Sequence, residues 1–340
     1  MIKAGIIGAT GYSGEALVRL IARHPEAEIA FVASRSEAGR PVGEAMPGLG
    51  DLPGGLVFCA ADPRALAEAG ADVVFLALPH GVAAGFARPL YDAGVRVIDL
   101  SADFRLGDPA VYASYYGADH PDPELLAAAP YVLPELAARG WESSRLIACP
   151  GCYPTSVQLP LVPLLRAGLV EAEGIVINSV SGVSGAGRKA TAFYSYCERD
   201  SSVVAYGAPR HRHLSEIEEQ LGAAAGRDVV VQFTPHLVPM PRGIATTVVA
   251  RAAGSLTDAE EALRAAYADA PFVRVLLSGT FPDTRNVVHT NRCDLSIVHD
   301  ERTGAFVLTS VIDNLLKGAG GQAVQICNRL FGLPETSGLL

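Results

Sequence analysis

The chain has 340 residues, is 49% hydrophobic and 19% charged, and carries a formal net charge of −9. At about 100–200 residues per domain, this predicts roughly two globular domains and excludes a disordered chain. The acidic balance argues against generic binding to nucleic acid or anionic membrane. No apolar stretch reaches the ~18 residues of a membrane span. Met1-Ile2-Lys3-Ala4-Gly5 enters a strand-like run directly, so no secretory leader is read and a cytoplasmic chain is expected.

The first part alternates strand and helix. Ile2 to Ile7 reads as a strand ending in glycine, followed by a helix with Ala16, Leu17, Leu20 and Ile21 on one face. Ile29 to Ala33 is a second strand. Asp62-Pro63 opens a helix as N-cap and first-turn proline. Val73 to Leu78 is apolar throughout, as a strand buried on both faces requires. A helix over about Gly81 to Ala93, a strand over Val95 to Leu100 and another over Leu146 to Cys149 complete a parallel doubly wound sheet. Beyond about residue 150 strands dominate: Ile175 to Val180, Val229 to Leu237, Ile244 to Ala250, Phe272 to Leu277, Leu295 to Val298 and Ala305 to Ile312. Helices are expected from near His213, over Asp258 to Ala268, and between Leu315 and Leu330. The fold class is therefore α/β: a Rossmann-type doubly wound parallel sheet plus an α+β domain on a mixed sheet.

Gly8-Ala9-Thr10-Gly11-Tyr12-Ser13-Gly14 joins the first strand to the first helix. A dinucleotide pyrophosphate needs this setting: a turn free of Cβ obstruction, then the N–H groups and partial positive charge of a helix start. The second strand ends in Ser34-Arg35, where an NAD site expects an acid; a hydroxyl and a guanidinium suit a 2′-phosphate and favour NADP(H).

Cys149-Pro150-Gly151-Cys152 is the most distinctive stretch. It precedes a helix-like run, which places Cys152 at a helix start, where the dipole lowers a thiol pKa from about 8.5. Cys152 is read as a nucleophile and Cys149 as a core residue. Cys59, Cys197, Cys293 and Cys327 are isolated, so no metal site is expected. Arg210-His211-Arg212-His213 offers imidazoles for proton transfer beside anion-binding charges. Ser181 to Lys189 is a second glycine-rich loop, with Arg188 at its end. Arg105 follows the strand at Val95 to Leu100 and reads as a substrate-anion contact, with Asp103 holding it.

Eight segments in order resemble the N-acetyl-γ-glutamyl-phosphate reductases of arginine biosynthesis, relatives of the aspartate-semialdehyde dehydrogenases. They are GATGYSG at Gly8, LPHG at Leu78, DLSADFR at Asp99, PGCYPT at Pro150, SGVSGAGR at Ser181, HRH at His211, PRGI at Pro241 and DNLLKGAGGQAVQ at Asp313. The resemblance spans the whole chain. It implies an NADP-binding domain over 1–150 completed by a C-terminal helix at 313–340, and a catalytic and oligomerisation domain over 151–312. It implies cofactor contacts at Pro79, Ser184, Gly185 and Asn314, the nucleophile at Cys152, and the acid/base at His213 or His211, both of which match. Arg105, Arg188, Arg210 and Arg212 are then the candidates for holding a small anionic acyl phosphate. The similar lysine-pathway reductases carry Asn-Ala where this chain has Tyr153-Pro154. In aspartate-semialdehyde dehydrogenases a histidine follows the glycine matched by Gly243, where this chain has Ile244. A non-enzymatic NADP sensor leaves PGCYPT and HRH without a purpose.

Overall fold

The computed structural model describes residues 1–50, 52 and 55–340. The chain divides into two compact units, 1–150 with 319–340, and 151–318.

The first unit contains, in order, β1 (Ile2–Ile7), α1 (Tyr12–Ile21), β2 (Ala27–Ala33), α2 (Val42–Ala45), β3 (Phe58–Cys59), α3 (Pro63–Ala67), β4 (Val73–Leu76), α4 (Ala84–Asp92), β5 (Arg96–Asp99), α5 (Pro109–Tyr116), α6 (Pro123–Ala128) and β6 (Leu146–Ala148). Its sheet is parallel throughout, in the order β3-β2-β1-β4-β5-β6. Side chains alternate between two cores, because successive strand residues face opposite sides. Ile6, Val73 and Phe75 pack with Leu17, Val18 and Ile21 of α1 on one face. Ile7, Val74 and Leu76 pack with Phe86, Ala87 and Leu90 of α4 on the other.

Several boundaries move for local reasons. β4 ends at Leu76, not Leu78, as the chain turns out of the sheet toward Pro79, which has no N–H to donate to a ladder. α4 starts at Ala84 because Gly81 turns at φ +76° and the Asp103 carboxylate accepts the N–H groups of Gly81 and Ala84, at 2.6 and 3.1 Å. Asp62 caps α3 by accepting from Ala65 N–H at 2.8 Å. Helices α5 and α6, absent from the sequence reading, start on the same signal: Asp108-Pro109 and Asp122-Pro123, each aspartate capping its own first turn.

The second unit contains α7 (Cys152–Arg166), β7 (Val176–Gly182), α8 (Tyr196–Arg199), β8 (Val204–Ala205), α9 (His213–Ala225), β9 (Gln232–Val238), β10 (Ile244–Arg251), α10 (Leu256–Ala266), β11 (Val273–Val275), β12 (Cys293–Asp300) and β13 (Ala305–Ile312). The mixed seven-stranded sheet runs β11-β12-β13-β10-β7-β9-β8, with β11–β12 and β7–β9 parallel and the other pairs antiparallel. Alternate residues of β10 are buried (Ile244, Thr246, Val248, Ala250) and half-buried (Ala245, Thr247, Val249). Helix α7 packs on β10, β12 and β13 and buries nearly every one of its residues. It does so despite Pro160 and Pro163 in its interior, each of which removes an intrahelical bond to the carbonyl four residues back. Both orphaned carbonyls are satisfied from outside the helix. Ser310 Oγ donates to Ser156 O, and Tyr267 Oη donates to Leu159 O, each at 2.5 Å.

The last helix, α11 (Gly320–Leu330), belongs to the first unit, packing against α1. It starts five residues later than the sequence pattern indicates. Residues 313–318, read with the C-terminal segment, lie in the second unit, where they form a hydrogen-bonded turn after β13. Asp313 Oδ1 accepts from Leu315 and Leu316 N–H, and Gly318 N–H donates to Asp313 O. No helix among the described residues is long and apolar enough to cross a membrane.

Candidate active site

In the first unit, the strand order reverses direction between β1 and β4, and open α/β sheets bind ligands at that point, beyond the strand C-termini. Gly8 follows β1 at φ +86°, and a Cβ there would lie 2.3 Å from Ala77 O. A Cβ on Gly14 would lie 2.3 Å from Gly8 O, so this glycine lets α1 approach the strand. Gly11 caps α1 with extended backbone (φ −74°, ψ 164°) and no side chain over the first turn. Thr10, Tyr12 and Ser13 are half-buried around this start, and Pro79 is exposed just past β4. This cradle fits a pyrophosphate. At the end of β2, Ser34 is buried and accepts from Glu37 N–H at 3.3 Å. Arg35 is exposed and has no partner among the described residues. Glu37, an acid three residues past Ser34, is paired with Arg40 at 2.5 Å.

Arg105 does not stand open to a substrate. It is buried, and donates from Nε to Cys149 O (2.9 Å) and from Nη2 to Leu100 O (2.7 Å), which secures the loop after β5 to the end of β6. Asp103 is engaged with Gly81, Ala84 and Tyr112 Oη. Burial and the neighbouring Asp103 push Asp99 up to about 7. Cys149 is fully buried, with Gln322 Nε2 3.7 Å from its sulfur.

The thiol lies in the second unit. Cys152 is the first residue of α7, capped by Gly151 in extended conformation (φ −71°, ψ 158°). The Gly151 N–H donates to Glu216 Oε1 at 2.7 Å, so a buried carboxylate from α9 holds the backbone beside Cys152. A Cβ on Gly318 would lie 2.7 Å from Cys152 Cβ, so the turn from Asp313 to Gly318 sits directly on the thiol residue. Tyr153 and Tyr206 share a hydrogen bond at 2.9 Å. Burial, with the neighbouring Cys152 adding to it, pushes Tyr206 up to about 12, and burial drives Tyr153 up as well. Both phenols therefore stay protonated beside the thiol.

His211 Nδ1 accepts the backbone N–H of His213 at 3.1 Å. Its ring stands edge-on to Tyr153, Tyr206 and Phe233, with centroids 5.5–5.6 Å apart. Burial, reinforced by the Arg212 charge, lowers His211 to about 4. At neutral pH this imidazole is uncharged, and because Nδ1 accepts, its proton is on Nε2. His213 is buried at the first position of α9, 5.1 Å from His211 between ring centroids. The shift has a consequence for stability. An unfolded histidine binds a proton below about 6.5, whereas folded His211 does so only near 4. Stability from this group is present above pH 6.5 and lost as pH falls from there toward 4. Urea denaturation at pH 7.5 and 5 is expected to show a larger acid loss for the wild type than for His211→Gln; equal losses would place His211 in water.

Asn314 is buried and tied to protein at both ends: Oδ1 accepts from Gly243 N–H (2.8 Å) and Nδ2 donates to Ser184 Oγ (2.9 Å). Ser184 is half-buried and Gly185 exposed, on the short 3-10 turn Val183–Ala186 after β7. Arg188, Arg210 and Arg212 are exposed. The structure thus groups Cys152, His211, His213, Asn314, Ser184 and Gly185 in the second unit, and Gly8 to Gly14, Ser34, Arg35, Pro79 and Arg105 in the first. Sequence reasoning missed Glu216, Tyr206 and Gly318. Glu216 left a trace: a carboxylate between Leu214 and Ile217 on the core face of a helix start requires a buried donor. Among the described residues, no cluster of three His, Cys, Asp or Glu side chains could hold a metal ion.

Two family profiles match: "Semialdehyde dehydrogenase, NAD binding domain" over residues 3–143 and "Semialdehyde dehydrogenase, dimerisation domain" over residues 152–314. An N-acetyl-gamma-glutamyl-phosphate reductase of Akkermansia muciniphila is 50% identical, covering 99% of this chain and 98% of that protein. One of Pseudomonas putida is 49% identical over 100% of this chain and 98% of its own length. Among solved structures, aspartate semialdehyde dehydrogenase II of Vibrio cholerae complexed with ASA superposes with TM-score 0.73 at 18% identity, covering 98% of both chains. The Candida albicans aspartate semialdehyde dehydrogenase with NADP gives TM-score 0.73 at 19% identity, covering 97% of this chain and 99% of that one. These structural likenesses concern the fold alone. At half identity over its full length, with the thiol-bearing helix start and the glycine cradle in place, the chain belongs to the N-acetyl-γ-glutamyl-phosphate reductase family.

Proposed function

We propose that this protein reduces N-acetyl-γ-glutamyl phosphate to N-acetylglutamate 5-semialdehyde with NADPH, releasing phosphate, as a step of arginine biosynthesis. The observation that carries the reading is Cys152 at the N-terminus of α7, with its flanking backbone held by Glu216, in a chain half identical to curated reductases of that name. The helix start favours the thiolate over the thiol. The thiolate attacks the γ-carbonyl carbon, a C–S bond forms, and the C–O bond to phosphate breaks with its electron pair leaving on phosphate. A thioester on Cys152 results, which divides one difficult step into two easier ones. Bound NADPH supplies the hydride that reduces this thioester. His211, neutral with its proton on Nε2, is assigned the donor to the carbonyl oxygen as that atom gains charge. Collapse of the thiohemiacetal then breaks the C–S bond, returning the thiolate to Cys152 and the proton to His211 Nε2.

Gly8, Thr10, Gly11, Tyr12, Ser13 and Gly14 would hold the NADPH pyrophosphate. Ser34 and Arg35 would hold the 2′-phosphate. Arg35→Ala is expected to raise the Kd for NADPH by roughly 10- to 100-fold, the worth of a charge-assisted contact, with little change for NADH. Equal losses for both cofactors would move the 2′-phosphate contact elsewhere.

A cytoplasmic homo-oligomer completes the reading. The face of the second sheet carrying Val176, Val180, Val249 and Val307 is half-buried, opposite the face under α7, and is assigned to a second copy of the chain. The test of the activity is the reverse reaction: NADP⁺ reduction with N-acetylglutamate 5-semialdehyde and phosphate, beside the aminoadipate-type and aspartate semialdehydes. Phosphate-dependent reduction with the acetylglutamate compound alone is expected. Turnover only with another semialdehyde would overturn the substrate and keep the chemistry.

A further inference from the structure

We propose that Arg242 binds the α-carboxylate of the acyl substrate and so selects substrates that carry one; this deepens the reductase reading above and rests on it. Three loops meet around the thiol turn. Gly182 N–H donates to Gly243 O, Val183 N–H to Met240 O, and Asn314 Oδ1 accepts from Gly243 N–H. A Cβ on Gly182 would lie 2.8 Å from Arg242 N, so the Arg242 backbone is locked against the end of β7. Its guanidinium is 3.6 Å from Oδ2 of Asp313, the residue that opens the turn closing on Cys152 at Gly318. Asp313 is fully buried and itself anchored by the N–H groups of His289, Leu315 and Leu316.

Arg242 is seated by charge, not by hydrogen bonds. Its side chain is 29% exposed, and among the described residues Asp313 is its only partner, at ion-pair distance. Its N–H fork is therefore open to a ligand, whereas Arg105 has donors engaged on Cys149 O and Leu100 O. The fork matches a planar carboxylate in bidentate geometry. The Arg242–Asp313 pair is neutral overall, which suits a monoanion. A phosphate dianion would meet the buried Asp313 carboxylate as a like charge, and is better placed at the start of α7.

The experiment compares N-acetylglutamate 5-semialdehyde with 4-acetamidobutanal, the same aldehyde lacking the carboxylate, in the reverse reaction. Wild type is expected to prefer the carboxylated aldehyde in kcat/KM by roughly 10- to 100-fold. Arg242→Met is expected to bring the two aldehydes close to parity. In Arg242→Met the buried Asp313 loses its counter-charge, so Tm is expected to fall, while the KM for phosphate and the rate of thiol alkylation by iodoacetamide are expected to stay unchanged, which displacement of the thiol turn would not produce. Arg242→Lys keeps the charge beside Asp313 and the fold, and is expected to lose most of the preference because an ammonium cannot make the fork contact. Undiminished preference in either variant, or a rise in phosphate KM in its place, overturns the assignment. Wild type failing to turn over the carboxylated aldehyde overturns the reductase reading itself, a separate result from persistent selectivity in the variants.

Discussion

Cys152→Ser is expected to abolish turnover while leaving NADPH binding and Tm unchanged. The site is arranged to ionise a thiol, not to activate a hydroxyl. Cys152 is the first residue of a 15-residue helix, and the flanking N–H groups and dipole act on whichever atom sits there. A thiol ionises near 8.5 and needs a modest shift to become a thiolate at neutral pH. A serine hydroxyl needs a base, and His211, held down to about 4, is a weak one. Loss of the nucleophile is expected to cost at least about 10³-fold in kcat. Fluorescence titration with NADPH should be unaffected, because the glycine cradle belongs to the other unit. The fast-labelling thiol expected in the wild type should vanish in the variant. Turnover within tenfold of wild type would remove the covalent mechanism.

Gly318→Ala is the second substitution of large expected effect, and the cause is steric. The added methyl would lie 2.7 Å from both Asn314 O and Cys152 Cβ and 2.9 Å from Asn314 Cα. Two of these atoms are backbone and the third belongs to the nucleophile, so none can yield without moving the site. Either the turn lifts, which strains the Asn314 bonds to Gly243 and Ser184, or Cys152 shifts. A displacement of about 1 Å at a reacting centre costs roughly 100-fold in rate. Overpacking of this kind destabilises by about 1–3 kcal/mol. We expect kcat/KM to fall by about two orders of magnitude, with a modest fall in Tm. Gly85→Ala is the control. Gly85 lies inside α4 with nothing within 4 Å of the added methyl, and alanine there should stabilise by up to about 1 kcal/mol with full activity. Equal activity in the two variants would show that the turn does not position the thiol.

The alternating pattern of the first unit was legible because parallel strands covered on both faces leave uninterrupted apolar runs. Ile2–Ile7 and Ala305–Ile312 match the sequence reading at both ends. The Asp-Pro starts of α5 and α6 carry the same signal as Asp62-Pro63, an aspartate N-cap followed by a first-turn proline. Helix α7 is the opposite case. Pro160 and Pro163 argue locally against a continuous helix, and only Ser310 and Tyr267, more than a hundred residues away, supply the donors that keep it whole. The start of α11 moved from Leu315 to Gly320 because Asp313 captures two N–H groups, and the partners that hold its carboxylate in place include His289 on another loop.

Sequence by itself determined the local backbone features that the proposed chemistry uses. The glycines ahead of α1, the cysteine at the start of α7, and the serine and arginine at the end of β2 are the local features on which the proposed cofactor and thiol chemistry rests. Those properties follow from the residues and their immediate neighbours along the chain. Tertiary structure alone decided which charged side chains remain available. Arg105 and Arg242 are chemically identical, and both follow strands in family motifs. One is buried with its donors on carbonyls, and the other rests on a buried aspartate with its fork open. The charge of His211 likewise follows from its burial among the rings of Tyr153, Tyr206 and Phe233, with the Arg212 charge adding to it, and its proton position follows from one backbone N–H. Desolvation and hydrogen-bond saturation are properties of the folded environment, and no spacing along the chain encodes them.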